Sequence, residues 1–303
     1  MKTKKKFPSY DIILPRYPSL KILYNNLAFQ DANFQANQII LEHFPLFIKV
    51  NKLDGKQTIK ELAKKFKLSA GTDDINRIKK MMAESYIVHT YNIAELFFKK
   101  FNKDFKSIHK LENWITTEKV SNSNKSLDPL NQLLKNLDDE KRTELQKLPE
   151  YLLCNYYRLL RNSYVHREID TAISIKKPQE YFDKHISGEL QHFEKYYKSI
   201  PKSGAPAPSS PSEINFHDFI LFSRSLRNLA NYINDYCNFS VSQAFELAEQ
   251  DDRFFNTPKK INYHSFPQSK PKLTNYLTKY YISNFGTNQK QINEFINLFY
   301  EKY

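Results

Sequence analysis

The sequence predicts an all-α protein, and three observations carry that prediction. Only 5 of the 303 residues are glycine, while Leu, Lys, Asn, Phe and Tyr are abundant. Runs that alternate apolar and polar residues are few. Apolar residues recur instead at helical spacing, as in Ile75, Ile78, Met82, Tyr86, Val88, Ile93, Leu96 and Phe97. A chain of this length can bury a real core, in one large or two modest domains.

Residues 1–25 are basic and broken by Pro8, Pro15 and Pro18, so they read as an arm before the first helix. A helical pattern runs from about Tyr24 to Asn51, followed by the turn signal KLDGK at 52–56. Thr58 opens a second helix. Thr72 or Asp73 caps a third, which runs on to about Phe101. SNSNKSLDP (121–129) reads as a polar loop, and one helix is expected over 129–146. Pro149 suits the first turn of the next helix, with Glu150 near its positive end. A helix over 178–200, the loop PKSGAPAPSSPSE (201–213) and a helix over 214–238 follow. The tail is basic and aromatic, with a last helix from about Asn288 to Tyr303.

Net charge is +13, which favours a polyanionic partner, nucleic acid first. The 20 Tyr and 23 Phe can fill a helical core or stack on bases. Cys154 and Cys237 show no metal-ligand spacing and read as two buried thiols. The first 20 residues lack the continuous apolar run of a signal peptide. The best apolar stretch, IILEHFPLFI at 39–48, is too short to span a bilayer and contains Glu42, His43 and Pro45. A cytoplasmic location without a membrane partner is expected. No phosphate-binding glycine loop, GxSxG or HExxH is present, and no cofactor is expected.

The stretch LLRNSYVHRE at 159–168 is the clearest carrier of chemistry. Stepping 100° per residue places Leu153, Tyr156, Tyr157, Leu160 and Tyr164 on one broad side of a helix. Asn155, Arg158, Asn162 and His166 form a stripe opposite, and Arg161 can lean towards it. An imidazole can take the ribose 2′-OH proton or protonate a leaving oxygen near neutral pH. A guanidinium presents a planar fork of donors to a phosphate as charge builds. Such a stripe is also what an ordinary solvated helix face looks like.

RNSYVH resembles the motif of the HEPN superfamily: an arginine, four to six residues, then a histidine, with a polar residue often following the arginine. Arg161, Asn162 and His166 match these three positions. The upstream helix with Glu84 and Glu95 and the later helix FHDFILFSRSLRNLANYI fit the same pattern, over about 72–245. The resemblance implies a four- to five-helix bundle spanning 72–245. The chain departs from the simplest members by a long insertion at 171–213, and its N-terminal helical region at 1–71 and extension at 246–303 have no counterpart in a minimal HEPN domain. It implies a metal-independent endoribonuclease that leaves a 2′,3′-cyclic phosphate or 3′-phosphate and a 5′-OH. His166 would be general acid or base, Arg161 the phosphate clamp, Asn162 the orienter. Glu95 would join the site, with Glu84 as the other candidate. Arg158, Tyr164 and Arg167 would bind substrate. Many members are toxins or abortive-infection effectors in phage defence. The implied partners are RNA, a second copy through the motif helix, and an antitoxin or another defence protein.

Two other readings stand beside this one. A HEPN fold can serve as a non-catalytic binding module. LAKKFKLSAGTDDINRIKKM (62–81) resembles a helix-turn-helix, within 58–81, although Asp73 and Asp74 would face DNA phosphates. Arg227 and Asn228 repeat the Arg-Asn pair without a histidine and read as structural.

Overall fold

The computed structural model describes residues 15–69, 74–120, 123–165, 171–196, 207–252, 254–255 and 270–303. The fold is all-α, as expected, apart from one small hairpin among the described residues. The helices are α1 (Pro18–Val50), α2 (Gly55–Lys65), α3 (Ile75–Ile108), α4 (Pro129–Lys135), α5 (Asp139–Gln146) and α6 (Pro149–Val165). They are followed by α7 (Thr171–Tyr181), the short α8 (Leu190–Phe193), α9 (Phe216–Tyr236), α10 (Val241–Glu249), α11 (Lys270–Asn284) and α12 (Gln289–Lys302).

The chain divides into two compact units, one of residues 1–22, 97–136 and 231–303, the other of 23–96 and 137–230. In the first unit, Tyr17 is fully buried. Its ring lies 4.3 Å from that of Phe101 and 4.7 Å from that of Phe239, centroid to centroid. Its hydroxyl donates to the carbonyl of Cys237 at 2.6 Å and lies 3.1 Å from His109 Nε2. Burial pushes this phenol far above its ordinary pKa. Phe295 gathers Phe245, Phe254 and Tyr281 around it. Many of the aromatic residues are therefore core, and each close pair adds about 0.5–1.5 kcal/mol beyond its buried area.

In the second unit, the inner face of α1 packs on α3. Gln30 Nε2 donates to Thr90 Oγ1 at 2.6 Å, and Phe34 stacks on Tyr86 at 4.1 Å. Tyr157 of α6 stacks on Phe222 of α9 at 4.5 Å. Leu153, Tyr156, Tyr157 and Leu160 are fully buried, as the helical projection of α6 predicts. Asp218 sits at the start of α9 and is fully buried. It accepts hydrogen bonds from Ser209 N (2.9 Å), Asn215 N (3.0 Å) and the Tyr157 hydroxyl (3.0 Å). Glu150, also buried, accepts from the Tyr196 hydroxyl at 2.7 Å and lies 3.0 Å from His192 Nε2. Arg227 pairs with Asp31 at 2.6 Å, and Asn228 donates to the Tyr196 hydroxyl. Both side chains are engaged by other side chains of the fold.

Several boundaries differ from expectation. α1 starts at Pro18, where a proline costs the helix no hydrogen bond. The expected 129–146 helix is two, because Asp138 caps α5 by accepting from Lys141 N, while the Asn136 side chain engages Gln132 and Ile115. The expected loop at 121–129 contains part of a hairpin, β1 (Thr117–Val120) paired antiparallel with β2 (Ser123–Ser126), Thr117 opposite Ser126. The expected helix at 178–200 begins instead at Thr171 and gives way after Tyr181 to a π turn and short 3₁₀ turns flanking α8. Residues 197–200 lie outside the described residues, as do Thr72 and Asp73. Asp74 is seen to cap α3, its Oδ1 accepting from Asn76 N and Arg77 N. α2 buries none of its side chains. Cys154 and Cys237 are buried and not joined in a disulfide. Among the described residues no helix is long and apolar enough to cross a membrane.

Candidate functional site

α3 and α6 run antiparallel where the motif lies. Arg161 faces the stretch of α3 around Tyr91, Asn92 and Glu95. Tyr164, nearly one turn further along α6, lines a cleft with Glu84, Ser85 and Val88, one to two turns earlier on α3.

The Arg161 guanidinium is held from several directions. Nη1 donates to Asn162 Oδ1 at 3.1 Å, and Nη2 donates to Asn92 Oδ1 at 3.5 Å. Nη2 also lies 3.9 Å from a Glu95 carboxylate oxygen. The Tyr91 ring lies beneath the guanidinium carbon at 6.0 Å, the outer limit of a cation–π contact. Nε is buried without a hydrogen-bond partner among the described residues. The Arg161 and Glu95 side chains are 24% and 28% exposed, so the cation is positioned by the protein yet still reachable from solvent. Both polar helix positions that hold it come from the regular spacing of α3, since Asn92 and Glu95 are three residues apart and share a face.

The residues predicted for the site divide into three groups. Arg161, Asn162 and Glu95 come together. Asn162 Oδ1 is engaged by the guanidinium, so among the described residues its orienting contact is with Arg161. Tyr164 and Glu84 belong to the neighbouring cleft, about 550 Å³ in volume, which Arg77 and Lys80 also line. Lys80 Nζ donates to the Ser212 carbonyl at 2.9 Å within it. Arg158 is half-buried and donates through Nε to Asn155 Oδ1 at 3.3 Å. His166 and Arg167, with the residues up to 170, lie outside the described residues.

One expectation is corrected. The stripe of Asn155, Arg158 and Asn162 does not face away from the core. Asn155 is only 6% exposed, and Arg158 and Asn162 are half-buried. α6 is enclosed by packing on several sides, and Asn155, Arg158 and Asn162 find hydrogen-bond partners there, as burial requires. Sequence reasoning missed Tyr91, Asn92, Arg77 and Lys80. The first two were visible only as the turn of α3 leading to Glu95.

No family model, curated protein or solved structure matches the chain.

Proposed function

We propose that the chain is a HEPN-type, metal-independent endoribonuclease, a toxin or abortive-infection effector in phage defence that works with two motif helices around one RNA cleft. The observation supporting this reading is the Arg161 cluster. A guanidinium is oriented by Asn162, Asn92 and Glu95, five positions before His166 in the sequence.

In this reading a base takes the 2′-OH proton and the 2′ oxygen attacks phosphorus. The 5′ oxygen leaves with a proton from the acid, giving a 2′,3′-cyclic phosphate and a 5′-OH. His166 serves as the acid or the base. Arg161 neutralises the negative charge that builds on the non-bridging oxygens, where its fork is worth most because it is already held in place. The surplus of 46 basic over 33 acidic residues binds the strand through its phosphates, with a steep dependence on salt.

The deciding experiment incubates the pure protein with mixed RNA in EDTA, beside His166→Ala and Arg161→Ala. Cleavage by the wild type that is lost in both variants supports the nuclease; identical traces for all three remove the site assignment. Retention of a specific duplex DNA without RNA cleavage would favour the helix-turn-helix reading. The two glutamates separate in the same assay. Glu95→Gln is expected to slow cleavage by roughly 10²-fold, the usual scale for a group assisting proton transfer or holding a catalytic cation. Glu84→Gln should change it less than about twofold, because Glu84 lines the cleft with Tyr164 rather than facing Arg161. The reverse ranking would transfer the role to Glu84.

A further inference from the structure

The outer face of α1 carries an exposed apolar stripe. Phe29, Ala32, Ala36, Ile39, His43, Leu46 and Val50 are all exposed. Their spacing is 3, 4, 3, 4, 3 and 4 residues, the seam of a coiled coil sustained for three heptads. Phe29 is 76% exposed, Ile39 70%, Leu46 59% and Val50 79%, and Ile40 and Phe47 flank the seam at 67% and 43%. The opposite face of the same helix already packs: Gln30 is buried, and Phe34, Leu41, Phe44 and Ile48 are half-buried. α1 is thus apolar on two sides, and among the described residues only one of them is buried. The 22 residues from Phe29 to Val50 span about 33 Å of helix, with Pro45 inside it.

Charge and size restrict the occupant. The chain as a whole is strongly basic, yet residues 29–50 contain one lysine, one aspartate and one glutamate. A surface for RNA or an anionic membrane would carry more cations. The seam is also graded: alanines occupy its first half, and leucine and valine its second. Two copies laid parallel would set Ala32 on Ala32 and Ala36 on Ala36, leaving gaps. Laid antiparallel, Ala32 meets Val50, Ala36 meets Leu46 and Ile39 meets His43 of the second copy, so that a small residue faces a large one in the outer layers. Phe29 then faces the turn after Val50, where Leu53 is 42% exposed. A surface that complements itself under a two-fold rotation is what an isologous contact needs.

We infer that α1 is a self-association surface, pairing with α1 of a second copy as an antiparallel coiled coil about a two-fold axis near Leu41. This contact is separate from the motif helix and does not depend on RNA cleavage. Sedimentation equilibrium of the full chain tests it, beside the double variant Ile39→Glu/Leu46→Glu. Both positions are exposed, so the variant should keep the wild-type helical circular dichroism. Its mass should be half that of the wild type. Orientation is read by oxidative cross-linking. Ala32→Cys/Val50→Cys should form intermolecular disulfides at high yield, against a low background because Cys154 and Cys237 are buried. Val50→Cys alone should stay uncross-linked. A wild type that is monomeric at tens of micromolar, or a glutamate variant of unchanged mass, overturns the interface. Efficient self-linking of Val50→Cys overturns the antiparallel arrangement. None of these readings uses nuclease activity, so they stand or fall apart from it.

Discussion

Arg161→Ala is expected to lower RNA cleavage by at least about 10²-fold, the loss typical of removing one donor aimed at developing charge. The fold should survive, because the guanidinium is held by hydrogen bonds at the edge of the α3–α6 contact while the apolar side of α6 is made by other residues. Arg161→Lys sharpens the test. An ammonium keeps the charge but lacks the planar fork. It cannot reach Asn162 and Asn92 at once while presenting donors to a phosphate, so its rate should lie much nearer to that of the alanine variant than to the wild type. Single-turnover cleavage of a labelled RNA, with circular dichroism of each variant, makes the measurement. A lysine variant with full activity would mean that charge alone matters and that the constellation on α3 is incidental.

The second large effect concerns stability. Asp218→Ala leaves the Ser209 N–H, the Asn215 N–H and the Tyr157 hydroxyl without their acceptor. Each fully buried orphan costs about 1–3 kcal/mol. Asn215 is only half-buried and can turn to water, so the total loss is expected near 3 kcal/mol. The wild-type advantage should also depend on pH. Burial raises the Asp218 pKa above the ordinary carboxylate value, and the hydrogen bonds oppose this only in part. A raised acid pKa means that the native state binds the proton more tightly than the unfolded chain does. The contribution of Asp218 to stability is therefore greatest below the unfolded pKa and declines as pH rises through the folded one. Thermal denaturation of wild type and Asp218→Ala between pH 4 and 8 should show the gap narrowing upward. A gap that widens with pH would show that the three hydrogen bonds outweigh burial.

The long periodic segments were legible because their signals are local and repeated. The run from Ile75 contains neither glycine nor proline, and α3 extends unbroken to Ile108. The α6 core residues followed from one projection. The hairpin at 117–126 was not legible, since its strands TEKV and SNKS have almost no apolar residue to alternate. The break at Asn136–Asp138 was written in two capping side chains that a periodicity count passes over. At the site, the sequence singled out Arg161, Asn162 and Glu95 from a motif and its context. It could not show that Asn155 is buried, because an amide in a polar stripe looks the same whether water or a neighbouring guanidinium satisfies it. Nor could it show Asn92, which matters only through the register of two antiparallel helices.

α2 has an N-cap, with Asp54 accepting from Gln57 N, and lysines in its last turn, but no fully buried side chain; Thr58, Ile59 and Ala63 are half-buried. Opening it would expose little new apolar surface, chiefly from Ile59 and Ala63, so it is expected to form a separate low-energy step of unfolding. Its backbone amides should exchange with solvent hydrogen orders of magnitude faster than those of α3 or α6. Under brief trypsin treatment, Lys60, Lys64 and Lys65 should be cut before lysines in the other described helices, leaving the remainder of the fold standing.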